Sequence, residues 1–352
     1  MKFLATKRSF SVLVIVFVIA CSGSVNQAMV SDFAGNGRMG MSNGSAREAS
    51  FANLMGICSD AKGNLYVADS HNNLVRKIDP KGNVSTLAGS GHSGNLDGKG
   101  TRASFFYPVA VFADNKGNIF VSDTHNNLIR KIDSESNVTT EAGSRPDSEN
   151  KMPARLGLKL DNPAGICTDH HGNLYIADWA NNVIRMINVD GSAKILAGTV
   201  GNRGAKDGFG AEASFYLPWG IVTDSLDNIY VADFRNNMIR KISPQGMVST
   251  ISGTTTRGSS DGNAKAASFF HPAGLAIDKK GNLYVADSGN NKIRKITPDG
   301  MVTTLAGNGS RGKANGRALA ASFYKPYALA FGQDGSLFVA DYQNNLVRKI
   351  SF

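Results

Sequence analysis

The sequence predicts an all-β fold: a six-bladed β-propeller of four-stranded antiparallel blades, closed by an N-terminal strand that completes the last blade. Three observations predict it. A fifteen-residue phrase returns six times, each repeat holds four strand-like runs, and the sixth outer-strand phrase lies at the N-terminus instead of the C-terminus. A regular period of this length is typical of repeat proteins, in which each repeat forms one structural unit.

The repeated phrase first appears as NLYVADSHNNLVRKI at Asn64–Ile78. Its aspartate recurs at intervals of 54 or 55 residues, at Asp69, Asp123, Asp178, Asp233, Asp287 and Asp341. Its arginine recurs at Arg76, Arg130, Arg185, Arg240, Arg294 and Arg348. We interpret all twelve as structural, because six identical groups rarely make one asymmetric active site. We expect each Asp to cap the turn after the second strand and each Arg to reach a carboxylate or a carbonyl.

Four strand-like runs fill each repeat. In the second repeat they are Val109–Ala113, Asn118–Asp123, Leu128–Ile132 and Val138–Ala142. Asp, Asn and Gly separate the first two runs, as a tight hairpin requires. The runs are apolar on both faces, so each small sheet must be covered on both sides, and sheets packed around an axis meet that demand.

Closure of the ring follows from the outer-strand phrase. Five copies of a phrase such as VSTLAG (Val84–Gly89) end the first five repeats, whereas the chain stops at Phe352 just after a third strand. The sixth copy is VSDFAG at Val30–Gly35. We therefore expect the N-terminal segment to supply the outer strand of the last blade, which removes two open sheet edges.

The phrase Ala-Asp-x-x-Asn-Asn-x-Ile-Arg-Lys-Ile, followed by Val-Thr-Thr-Leu-Ala-Gly, resembles the NHL repeat. The resemblance covers residues 30–352 and implies a six-bladed propeller. It says little about chemistry, because NHL and related propellers include ligand-binding ectodomains, RNA-binding modules and enzymes such as amidating lyases and gluconolactonase-like hydrolases.

The first twenty residues combine a basic start with the apolar run Phe10–Ala20. That run is too short to span a membrane and is typical of an export signal. It ends in Val18-Ile19-Ala20-Cys21, which resembles the lipobox of bacterial lipoproteins. We expect residues 1–20 to be a signal peptide, Cys21 to be lipidated, residues 21–29 to be a tether and residues 30–352 to be the propeller. The protein would then be anchored in the cell envelope, on its periplasmic or surface side. The alternative is an ordinary secretory signal with an incidental Cys.

Charge and cysteine content limit the kinds of partner and site that we expect. The chain has 38 Lys and Arg against 28 Asp and Glu, but much of the excess lies in the repeated Arg-Lys pair and is spread around the molecule. Nucleic-acid binders gather basic charge on one face, so we expect no nucleic-acid partner, and a membrane contact only through the lipid. Cys58 and Cys167 occupy one apolar slot of two repeats, which predicts neither a disulfide nor a metal site.

Candidate binding residues lie where the repeats differ. The two residues between the Asp and the Asn pair vary from blade to blade, and so does the residue after the first-strand Pro. Long connections between blades open on the same face, and loops on a rigid frame commonly carry function. We expect a shallow aromatic bowl there, edged by polar groups, with these candidates: His71, His125, Trp179, Trp219, Phe234, Arg235, Tyr327 and Tyr342.

These residues favour a monomeric binding module that recognises a protein, peptide or glycan on its long-loop face, without a cofactor, resident metal or catalytic residue. The alternative is a metal-dependent lyase or lactonase at the channel mouth, with His71 and His125 among its zinc or calcium ligands. A catalytic zinc needs three protein ligands, and the spacing of the remaining histidines offers no third one.

Overall fold

The computed structural model describes residues 28–144 and 158–352. The predicted signal peptide, Cys21 and most of the predicted tether lie outside the described residues. Within these ranges the chain forms six small antiparallel sheets, one for each sequence repeat. The helical segments there are single 3-10 turns, and none is long or apolar enough to cross a membrane.

The blades follow one another along the chain, and their strands run in sequence order from the central channel outward. Blade 1 contains β2 (Leu54–Ser59), β3 (Leu65–Asp69), β4 (Leu74–Ile78) and β5 (Val84–Ala88). Blade 2 contains β7 (Pro108–Ala113), β8 (Ile119–Asp123), β9 (Leu128–Ile132) and β10 (Asn137–Gly143). Blade 3 contains β11 (Pro163–Thr168), β12 (Leu174–Asp178), β13 (Val183–Ile187) and β14 (Ala193–Ala197).

The second half of the ring repeats this order. Blade 4 contains β16 (Pro218–Thr223), β17 (Ile229–Asp233), β18 (Met238–Ile242) and β19 (Met247–Gly253). Blade 5 contains β20 (Pro272–Ile277), β21 (Leu283–Asp287), β22 (Lys292–Ile296) and β23 (Val302–Ala306). Blade 6 contains β25 (Pro326–Phe331), β26 (Leu337–Asp341), β27 (Leu346–Ser351) and the N-terminal strand β1 (Met29–Ala34).

The predicted closure is present. Strand β1 pairs antiparallel with β27, with Val30 opposite Ile350 and Asp32 opposite Arg348. Val30 is buried among the apolar side chains of blades 5 and 6. The two ends of the described propeller are therefore held in one sheet, and the ring has no open strand edge at this point.

Three sheets carry a fifth strand that the sequence did not predict. The connections into blades 2, 4 and 6 each add a two-residue strand outside the outer strand of the same blade: β6 (Gly98–Lys99), β15 (Gly208–Phe209) and β24 (Gly316–Arg317). In blades 1 and 5 a single bridge takes its place, Gly44 with Val84 and Gly262 with Val302. Each of these connections thus crosses its blade from the outer edge to the channel.

The repeated Asp and Arg form the buried frame of each blade. In blade 4, Arg240 Nη1 lies 2.8 Å from Asp233 Oδ2, and both side chains are fully buried. The Arg240 Nη2 group also donates to Asp207 at 2.7 Å, and its guanidinium lies 5.1 Å from the ring centre of Phe215. Contrary to our expectation, the side chain of Asp233 accepts no capping hydrogen bond from the backbone of the 3-10 turn that follows it. Its oxygens instead accept from Asn236 and from the backbone N–H of Tyr216, which ties the turn to the incoming connection.

Blade 3 builds this frame differently. The Ala-Ser-Phe motif of the other connections is replaced, and the Phe position is taken by Leu160. Arg185 binds Asp178 through Nε and donates from Nη2 to the carbonyl of Lys159. The other arginines each lie over a buried phenylalanine ring. The blade therefore keeps the ion pair but lacks the aromatic ring beneath it.

Glycines bring the first strands close together around the channel. A Cβ on Gly220 would lie 2.2 Å from the carbonyl oxygen of Ala273 in the next blade, and one on Gly165 would lie 2.4 Å from that of Trp219. Cys58 and Cys167 are free thiols at the far end of the channel, where burial raises their pKa, so neither is a reactive thiolate.

Candidate functional site

One end of the channel carries the variable residues. The turn after each second strand and the connection into each first strand open on this side, which we call the loop face. The backbone N–H of His71 donates to the Ala52 carbonyl at 3.1 Å, and that of Arg235 donates to the Tyr216 carbonyl at 3.1 Å. Each turn is thus fixed to the connection of its own blade, so the side chains of both are presented together.

Five predicted aromatic residues come together on the loop face. Trp219 lies at the centre of the group. The centre of its ring is 6.2 Å from the ring centre of Trp179, 5.7 Å from that of Phe234 and 5.4 Å from that of Tyr327. Tyr327 in turn contacts Tyr342 at 5.0 Å. All five are only partly buried. The rings pack against one another across blades 3, 4 and 6, so they form one surface instead of covering separate loops.

The two predicted histidines are brought to this layer, where both contact Tyr107. Tyr107 stacks on His125, with ring centres 4.6 Å apart and planes at 10°, and its ring also lies 5.3 Å from His71. Each imidazole thus packs against the ring of Tyr107. Within residues 28–144 and 158–352 no group of three or more His, Cys, Asp or Glu is placed to hold a metal ion.

Sequence comparison of the blades missed Tyr107 and His271. They occupy the position before the first strand, which has a positive φ in every blade: Asn53, Tyr107, Asn162, Leu217, His271 and Lys325. His271 stacks on Phe234 with ring centres 4.5 Å apart and contacts Phe270 at 4.2 Å. The signal was present, since this position differs in nearly every repeat. Its direction toward the loop face depends on a backbone angle that the sequence does not show.

Tyrosine hydroxyls meet near the channel axis. Burial, then the charge of Tyr342 and a hydrogen bond with it, raise the pKa of Tyr107 above its ordinary range. Burial also raises the pKa of Tyr327 to about 12, with a smaller contribution from Tyr342. The phenols of Tyr107 and Tyr327 therefore stay protonated at neutral pH and offer hydrogen-bond donors at the centre of the aromatic layer.

The channel below this layer is narrow. Trp219 and Tyr327 line its upper end, together with first-strand residues such as Met55 and Val109, around a cavity of about 70 Å³. Its opposite mouth, near Cys58 and Phe331, is wider and apolar, at about 290 Å³. The layer thus forms a shallow platform over the channel instead of the rim of a deep pocket.

Family models match this chain in three places. The NHL repeat model matches residues 51–78 and 215–242, and the Teneurin NHL domain model matches residues 256–314. These segments carry the repeated turn and the Asn pair that hold the loop face. The chain is an NHL-repeat β-propeller. It belongs with the NHL proteins by sequence and by the six-bladed fold that its repeats form.

Relatives of this NHL propeller extend beyond it. This chain is 31% identical to SUPPRESSOR OF QUENCHING 1 of Arabidopsis thaliana, and the match covers 81% of this chain. It is 29% identical to human NHL repeat-containing protein 2, again over 81% of this chain. The match spans only 29% and 44% of those proteins, respectively. A solved auxiliary nutrient binding protein from Bacteroides thetaiotaomicron has the same fold, with a TM-score of 0.72 and 18% identity. The match covers 92% of this chain and 76% of that structure.

Proposed function

We propose that this propeller is a binding module that recognises a protein, peptide or glycan on its loop face, and that the partly exposed aromatic layer is the contact surface. One observation carries the proposal: Trp179, Trp219, Phe234, Tyr327 and Tyr342 pack into one surface at the channel mouth. Large rings beside a few polar groups are enriched at recognition sites, because they bury much area at low entropic cost.

The frame beneath this layer supports the proposal. Each loop is tied to its blade by a buried ion pair, as Arg240 and Asp233 show at 2.8 Å. A rigid frame with variable residues on its loops is the arrangement by which propellers and other scaffolds hold binding sites. The nutrient-binding description of the Bacteroides thetaiotaomicron structure agrees with such a role, although the shared feature is the fold.

The proposal is tested by replacing Trp179, Trp219 and Phe234 together with alanine. We expect the variant to lose capture of partners from an envelope extract while its melting temperature stays within a few degrees of the wild type. The matched control replaces Phe209 and Phe352, which are 54% and 51% exposed and lie outside the aromatic layer. Undiminished capture by the triple variant would show that the ligand binds elsewhere.

We also propose that the propeller is held in the cell envelope through a lipid on Cys21. The basis is the apolar Phe10–Ala20 run followed by Cys21 in the sequence. Incorporation of radiolabelled fatty acid is expected in the wild type and should vanish in Cys21→Ser. Equal labelling of both proteins would refute the lipid anchor.

A further inference from the structure

Three cationic side chains converge on His271. Arg257 lies with its guanidinium 5.4 Å from the ring centre of Phe270, which contacts His271. Burial of the imidazole, followed by the charges of Arg235, Lys325 and Arg257, lowers the pKa of His271 to about 4. The imidazole is therefore neutral at pH 7, and the three positive charges act on one point of the loop face.

These three charges lack the compensation that the framework arginines have. Each framework arginine pairs with a buried aspartate, as Arg294 does with Asp287 at 2.8 Å. Of the residues that the structure describes, no Asp or Glu forms an ion pair with Arg235, Arg257 or Lys325. Positive charge gathered on one part of a surface attracts anions more strongly than the same charge dispersed over it.

The cationic group adjoins the aromatic layer. Arg235 directly follows Phe234 in the turn of blade 4. Burial raises the pKa of Tyr327 at the channel mouth, and the charge of Arg235 offsets part of that rise. Phe234 stacks on His271, with their planes at 9°, and lies 5.7 Å from Trp219. An anion bound near His271 would therefore have flat aromatic surface beside it.

We propose that the ligand of the loop face is an acidic glycan, in which a sugar carboxylate or sulfate binds among Arg235, Arg257 and Lys325 while the sugar ring packs on Phe234 and Trp219. The inference rests on the proposed function and names its ligand class. Two guanidinium forks and an ammonium suit a planar or tetrahedral oxyanion, because each fork donates two parallel hydrogen bonds.

The shape of the site favours a sugar over a peptide. Peptide recognition usually depends on an anchor side chain in a desolvated pocket. The cavity beneath Trp219 and Tyr327 is the narrow end of the channel, at about 70 Å³, and the aromatic layer above it is a shallow surface. An acidic sugar carries its charge and its flat face on one rigid ring, so little conformational entropy is lost on binding.

The placement of the charges also disfavours a nucleic acid. Binding of a nucleic-acid strand neutralises a row of phosphates along an extended groove. Here Arg257 lies beside Phe270 and Arg235 beside Phe234, the two rings that contact His271. Charges placed around one ring fit a single charged substituent better than a charged backbone.

The experiment is a binding array that carries uronic-acid oligosaccharides, sulfated oligosaccharides, their neutral counterparts, acidic peptides and single-stranded DNA. We expect the full chain to bind acidic glycans, with signals at least tenfold above those of the neutral counterparts. The uronic-acid and sulfated spots distinguish a carboxylate from a sulfate as the anion. Binding only to neutral glycans, peptides or DNA, or to none of the spots, would overturn the inference.

Charge variants separate this inference from the proposed function. Arg235→Gln, Arg257→Gln and Lys325→Gln together should lower acidic-glycan binding at least tenfold. The control, Lys62→Gln, Lys116→Gln and Lys280→Gln, removes the same charge from exposed hairpin residues and should bind like the wild type. If the first variant still captures envelope partners at wild-type strength, the anion site is refuted while the proposed function stands. Capture that survives loss of the aromatic rings would refute the proposed function itself.

Discussion

The side-chain carbonyl of Asn237 accepts a hydrogen bond of 2.9 Å from the backbone N–H of His271 in the next blade. His271 has a φ of 52°, in the left-handed region that non-glycine residues seldom adopt. The same bond joins every pair of neighbouring blades, from Asn345 to Asn53, Asn73 to Tyr107, Asn127 to Asn162, Asn182 to Leu217 and Asn291 to Lys325. The second repeated asparagine thus holds the backbone that presents a variable side chain on the loop face.

Replacing Asn237 with alanine should destabilise the propeller and loosen His271 together. The partly buried His271 N–H would lose its partner, and leaving such a donor unsatisfied costs about 1–3 kcal/mol. Urea unfolding measures the loss. Asn237→Asp keeps an acceptor oxygen but loses the donor to the Thr255 carbonyl, so it should recover only part of the stability. Asn202→Ala, at an exposed position, should change the stability by less than about 0.5 kcal/mol. Equal loss in Asn237→Asp and Asn237→Ala would refute the role of this bond.

The framework arginines should differ in their contribution to stability. Arg240→Met leaves the Asp233 carboxylate buried without its cation, which typically costs about 3–5 kcal/mol. Arg185→Met should cost at least about 1 kcal/mol less, because the Arg185 side chain is 9% exposed and has no phenylalanine ring beneath it. Comparison of the two unfolding curves tests this difference. Equal losses would mean that the Phe215 ring and the Asp207 carboxylate add nothing to the stability that Arg240 provides.

The loss in Arg240→Met should also depend on pH. Burial raises the pKa of Asp233 to about 6, although Arg240 and Asn236 lower it. Removing Arg240 raises this pKa further above its unfolded value. Stability of the variant is then greatest at low pH, where the carboxyl is protonated in both states, and falls as pH rises through the folded pKa. The deficit relative to the wild type should be larger at pH 8 than at pH 5; a deficit independent of pH would contradict this.

The sequence predicted the framework better than the site, for a physical reason. Asp233 and Arg240 recur in every blade, so their pairing follows from the period. The closing strand at Val30 follows from one displaced copy of the outer-strand phrase. Trp219 and Tyr327 were predicted as variable residues after a proline. The role of His271 depends on a positive φ that the letters of the sequence do not show. Arg257 does follow the period, since Arg203, Arg257 and Arg311 lie over the rings of Tyr216, Phe270 and Tyr324. The period does not show that the ring of Phe270 contacts His271.

His271 should titrate below pH 5 in the folded protein. Its pKa is lowered first by burial and then by Arg235, Lys325 and Arg257. Because the folded pKa lies below the unfolded value, this residue reduces stability as pH falls from about 6.5 through about 4. NMR titration of the imidazole checks the midpoint, and Arg235→Gln should raise it. A midpoint near 6.5 in the wild type would show that the three charges do not converge on this ring.

Gly220 should be intolerant of a side chain. A Cβ there would lie 2.2 Å from the Ala273 carbonyl oxygen, so Gly220→Ala must separate the first strands of blades 4 and 5. Such overpacking typically costs about 1–3 kcal/mol. Gly335→Asn is the control, because Gly335 has a φ of 79° and no atom within 4 Å of its added Cβ. If Gly220→Ala loses no more stability than this control, the close approach to Ala273 adds no cost of its own.

Removal of residues 28–35 should open the ring. Strand β1 pairs with β27 over Met29–Ala34, buries Val30 among blades 5 and 6, and places Asp32 Oδ1 2.8 Å from Arg348 Nε. Its loss exposes the edge of β27 and apolar core, so the melting temperature should fall by more than about 10 °C. A synthetic peptide of residues 28–36 should restore the melting temperature as its concentration rises, because a ligand that binds only the folded state stabilises it. A scrambled peptide should not restore it. An unchanged melt after the deletion, or equal rescue by both peptides, would show that β1 does not close the propeller.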